Sequence, residues 1–147
     1  MSLDSFSRRI LIRADNLDAA INRIVVNVAL VVDQVIVLST PVDTGRARSN
    51  WQVSLTAPIS NQIEPYAPGI KLGRGESANA NAALLQAQAA LRPRRPEQDI
   101  FITNNVEYIG DLNRGTSAQA PEMFVQIAII AGVDAVARAP LNSSRRR

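Results

Sequence analysis

The chain has 147 residues, 46% of them apolar and 20% charged, with no cysteine and no histidine. That suits a soluble globular domain with a real core, and it excludes disulfides, thiolate or imidazole metal sites, cysteine nucleophiles and histidine-based triads. The net charge of +3 equals the terminal run Arg145-Arg146-Arg147, so the body is balanced and the basicity belongs to a solvated tail rather than to a nucleic-acid-binding face.

The N-terminus lacks the uninterrupted apolar core of a signal peptide, which makes a soluble cytoplasmic product the default. Residues 16–38 carry the strongest periodicity. Leu17, Ala20, Ile21, Ile24, Val28, Val31, Val32, Val35 and Leu38 recur at three- and four-residue steps, the stripe of a long helix. Residues 4–14 either extend that helix or form a separate arm. The apolar run from Ile24 to Leu38 is interrupted by Asn27, Asp33 and Gln34, and is expected to be too short and too polar to span a bilayer.

Pro41 stops the helix, and Asp43-Thr44-Gly45 is a turn signal. Trp51, Val53 and Leu55 then alternate with Gln52, Ser54 and Thr56, the pattern of a half-buried strand. Arg46 and Arg48, read as extended chain, point the same way and offer a pair of guanidiniums to a partner's carboxylates or to phosphate. Residues 57–77 are rich in proline, glycine and asparagine and are expected to form a long loop.

Residues 77–92 are an alanine-rich helix with Ser77 as cap and Leu84, Leu85, Ala87 and Leu91 on its apolar face. Residues 99–105 are a second strand. A short helical turn ends near Gly115, and a last helix starts near Pro121. The expected fold class is α+β: long N-terminal and C-terminal helices packed on a small antiparallel sheet, with a loop-plus-helix insertion at 57–98. One domain covers 1–147, with an arm at 1–14 and a flexible basic tail at 140–147.

The residues do not point to catalysis. The carboxylates Asp43, Glu64, Glu76, Glu107 and Glu122 have no spacing that forces two onto one face. Lys71, the single lysine, sits in PGIKLGRGES, which lacks the order of a phosphate-binding loop. No catalytic residue, cofactor or metal is expected.

Two stretches carry a resemblance. TPVDTGRARSNW (40–51) and NNVEYIGDLNRGTSAQAPEMFV (104–125) resemble, in order, the two motifs of a family of tailed-bacteriophage neck and tail proteins, the HK97 gp10-like and minor-tail-protein-Z-like group of tail-completion and head–tail joining proteins. Arg46-Ala47-Arg48 replaces the usual leucine–arginine step, Asn113 stands where many relatives carry glutamate, and the 77–92 helix replaces a hairpin found in some members.

The resemblance implies a structural virion protein of the neck or tail, assembled in the host cytoplasm. It implies a homo-oligomeric ring, usually six-fold, between connector or adaptor and tail tube, through which DNA passes without sequence-specific binding and without membrane contact. On that reading Pro41, Asp43, Gly45, Trp51, Tyr108, Gly115 and Pro121 build the motifs. Arg46, Arg48, Lys71, Arg74, Arg114 and Gln119 are the candidate contacts with neighbours. The 57–77 loop and both termini are expected to order on docking. The alternative is a small nucleic-acid-binding module, which tight and steeply salt-dependent DNA affinity would mark.

Overall fold

The computed structural model describes residues 3–68 and 76–138. The elements in chain order are α1 (Leu3–Ser39), α2 (Arg46–Ser49), β1 (Gln52–Ser54), α3 (Glu76–Leu91), β2 (Phe101–Thr103), α4 (Ile109–Asn113) and α5 (Phe124–Arg138). Lys71, Arg74 and the 140–147 tail lie outside the described residues. The architecture is mixed: a long first helix, a last helix, and a two-stranded antiparallel sheet pairing Gln52 with Thr103, Val53 with Ile102 and Ser54 with Phe101.

α1 is one continuous helix of 37 residues, about 55 Å long, so residues 4–14 extend it. It ends at Ser39, ahead of Pro41, which disfavours helical backbone at Thr40. By length and composition the helix is sufficient to cross a membrane, which corrects the expectation that its apolar run is too short. In this fold its second half packs against α5, α3 and α2. Residues 3–19, by contrast, are exposed throughout.

α5 runs antiparallel to α1. Phe124 sits with Ile36 and Val37, Gly132 lies over Val28 and Val32, and Val136 lines a groove with Ile24. Gly132 allows the close crossing, because a Cβ there would stand 2.4 Å from Val32 Cγ2. α5 begins at Phe124 rather than near Pro121. Its first free amides are taken by Asn113, whose Oδ1 accepts the Val125 N–H at 3.0 Å and whose carbonyl accepts the Met123 N–H at 2.7 Å.

α3 buries Ala80, Ala83, Ala87 and Leu91 and turns Leu85 outward, 64% exposed, which corrects the expected face. The small side chains let this helix lie close to β1 and α1, with Ala80 and Ala83 against Ile36, Val37, Trp51, Phe124 and Ala128. It starts at Glu76, so Ser77 lies within the first turn rather than capping it. On β1, the Gln86 side chain stands in for a third strand: its Oε1 accepts the Val53 N–H at 3.2 Å and its Nε2 donates to the Val53 carbonyl at 3.1 Å.

Candidate functional site

The corner between α1 and β1 is built by Gly45, whose φ of +84° is left-handed and whose missing Cβ leaves room for the Asn79 amide. The chain then makes a single helical turn, α2, so Arg46 and Arg48 are not in extended backbone and their side chains diverge. Arg46 is exposed. Arg48 is only 4% exposed, and points back under the corner.

Its Nη2 donates to the carbonyls of Leu38 at 3.2 Å and Thr40 at 2.8 Å, and its Nη1 bonds Glu76 Oε1 at 2.9 Å. Arg48 thus satisfies carbonyls at the end of α1 and sets a positive charge at the negative end of the helix dipole. Its guanidinium is spent inside the subunit, which corrects its assignment to a neighbour. Beside it, Trp51 Nε1 donates to Thr40 Oγ1 at 2.7 Å, and that hydroxyl donates to the Ile36 carbonyl at 2.6 Å.

Side-chain amides hold the segment that follows. Asn50 grips Ile63 at both its N–H and its carbonyl, each at 2.8 Å. Asn79, buried in α3, grips Ala67 the same way at 2.7 and 2.8 Å and accepts the Ser49 hydroxyl at 2.9 Å. Gln52 donates to the Asn61 carbonyl at 2.9 Å. Residues 59–67 are therefore fixed to the core without any strand of their own, and the expectation that the whole 57–77 loop orders only on docking is corrected for residues 57–68.

The second motif stretch closes on the first. The Val42 N–H donates to Gln119 Oε1 at 3.2 Å, and Asn104 Nδ2 donates to the Ala47 carbonyl at 2.8 Å. Gly115, at φ +87°, turns the chain under Glu122, and exposed Pro121 leads into the approach to α5. Between the two stretches lies a shallow cleft of about 120 Å³, lined by Pro41, Val42, Asp43, Gly45, Arg46, Tyr108, Leu112 and Gln119 among others.

On the rim, Arg46 Nη2 bonds Gln62 Oε1, and Gln62 Nε2 donates to Glu107 Oε1 at 3.0 Å and to the Asn105 carbonyl at 2.8 Å. The bond from Gln62, with the nearby Arg46 charge, holds Glu107 below the usual carboxylate range. Partial burial raises the Tyr108 hydroxyl's pKa, opposed by Arg46 and assisted by Glu107 and Asp43. Arg114 pairs with Asp111 one turn back on the surface, away from this cleft's lining.

Of the candidate contacts, then, the fold brings Arg46 and Gln119 to one cleft, turns Arg48 inward and leaves Arg114 in a local ion pair. Sequence reasoning missed the amides Asn50, Gln62, Asn79 and Asn113. One signal was Asn79, a weak helix former in the middle of an alanine run, and another was Asn113, which stands where many of the resembled proteins carry glutamate.

Asp33 was read only as an interruption of an apolar run. It is 1% exposed, and neither of its carboxylate oxygens, nor Arg48 Nε, has a hydrogen-bond partner among the described residues. Burial raises its pKa to about 7. Among the described residues no three His, Cys, Asp or Glu side chains gather to hold a metal ion. Comparison of the chain with protein-family models, curated proteins and solved structures finds no match.

Proposed function

We propose that this chain is a structural subunit of a bacteriophage neck or tail, a tail-completion, terminator or head–tail joining protein. It assembles as a ring between connector and tail tube and surrounds part of the DNA path. One observation carries the reading: the two stretches that resemble that family meet in space, with Gln119 of the second bonded to Val42, 77 positions earlier in the first.

Surface area supports the same reading. The chain exposes 10155 Å², against about 7,400 Å² for a compact monomer of 15.9 kDa. Large apolar side chains stand in solvent on two helices: Leu3, Phe6, Ile10, Leu11 and Leu17 on α1, and Ile127, Ile129, Ile130 and Val133 on α5. Two separate faces of this kind suit a subunit that meets different surfaces of its two neighbours, as ring closure requires. The cleft, rimmed by Arg46 and Tyr108, suits an acidic side chain from a neighbouring protein.

The test is negative-stain imaging of the purified chain, with duplex DNA binding measured across a salt series. Rings with a central opening and weak DNA affinity are expected. Particles the size of one subunit that bind DNA tightly, with steep salt dependence, would overturn the reading in favour of a nucleic-acid-binding module.

A further inference from the structure

Within the subunit, α5 covers one stripe of α1: Gly132 lies on Val28 and Val32, and Val136 lines a groove with Ile24. At 100° per residue the same stripe continues toward the N-terminus as Ile21, Leu17, Ala14, Ile10, Phe6 and Leu3. No described element lies over that half. Leu17 is 60% exposed and Leu3 84%.

The flanks of the bare half differ in charge. Arg9 and Arg13 fall on one side of the stripe, Asp4 and Asp18 on the other. That asymmetry selects the orientation of whatever packs there. Two such helices related by an antiparallel two-fold bring like flanks together, arginines against arginines and aspartates against aspartates. Parallel helices bring the basic flank of one against the acidic flank of the next. In that arrangement Arg13 meets Asp18 of the neighbour at the five-residue offset by which flanking charges pair between parallel helices.

We infer that the exposed half of α1, residues 3–21, packs in parallel against the same segment of further copies of this chain, apolar stripes inward, with Arg13 of one copy paired to Asp18 of the next. The large apolar side chains from Leu3 to Ile21 are half or more exposed, the kind of surface that a stable interface covers. Parallel arms are what rotation about an axis along the arms produces, so the inference goes beyond the neck reading and holds for any cyclic assembly whose axis runs along them.

The chain has no cysteine, so a single cysteine reports on this contact cleanly. Full-length chain carrying Ile10→Cys alone is expected to form disulfide-linked dimers under mild oxidation. Cross-linking that appears only when Ile10→Cys chains are mixed with Leu17→Cys chains would mean antiparallel arms and overturn the inference. Absence of cross-linking would overturn it too, as would an arm that inserts into phosphatidylcholine–phosphatidylglycerol vesicles while the chain stays monomeric. Arg13→Asp and Asp18→Arg, both on the exposed half, are each expected to weaken assembly about tenfold. The double variant is expected to recover it, whereas a role confined to helix stability leaves no such rescue.

Discussion

The two arginines of RAR show how little residue type alone decides. Arg48 closes the end of α1, and its removal leaves the Leu38 and Thr40 carbonyls without their donor. We expect Arg48→Met to cost about 2–4 kcal/mol in urea unfolding. Arg46→Glu, at the exposed rim, is expected to change stability by less than about 0.5 kcal/mol while impairing assembly with neighbouring layers. Equal destabilisation by both would contradict the inward and outward assignments.

Asp33 gives a second prediction at this scale. Burial pushes its folded pKa up to about 7, from about 3.9 for an aspartate in water. Between those values the folded chain holds a proton that the unfolded chain has released. The Asp33 contribution is therefore whole below about pH 4, declines as pH rises toward 7, and is gone above it, with a slope of at most roughly 1.4 kcal/mol per pH unit. Asp33→Asn should flatten stability measured between pH 5 and pH 8. A slope unchanged by the substitution would show that other groups supply it.

At the scale of elements, the close crossing of α1 and α5 rests on Gly132. A valine there collides with Val32 and with the Val28 carbonyl. Gly132→Val is expected to lower stability by about 1–3 kcal/mol by thermal or urea unfolding. A neutral result would mean the helices lie farther apart than described. The crossing also explains what was legible beforehand. The three- and four-residue spacing of aliphatic side chains in 16–38 is a property of the helix itself, so it could be read from sequence, and Pro121 marked the approach to the last helix.

The rest depended on partners distant in the chain. Whether α3 shows Leu85 or Ala83 to the core is decided by β1 and α1, not by its own composition. The 57–68 segment looks mobile because it has no periodic pattern, yet it is fixed by Asn50, Asn79 and Gln52, whose amides satisfy its backbone. Arg46 and Gln119 were singled out as contacts, but nothing local reveals that they border one cleft. Arg48 was misplaced because a single helical turn after Gly45 reads like extended chain.

For the molecule as a whole, the described body is held by two small hydrophobic clusters, one around Trp51 and Phe124 and one aliphatic, while the first half of α1 and the outer face of α5 contribute nothing to it. Burying that much apolar surface against copies of the chain favours association through the hydrophobic effect, at about 25 cal/mol per Å² before the cost of association is subtracted. The most direct measurement is sedimentation equilibrium of the purified full-length chain from low to high micromolar concentration. The account predicts a closed assembly of several subunits that persists on dilution. A 15.9 kDa species at every concentration would contradict it.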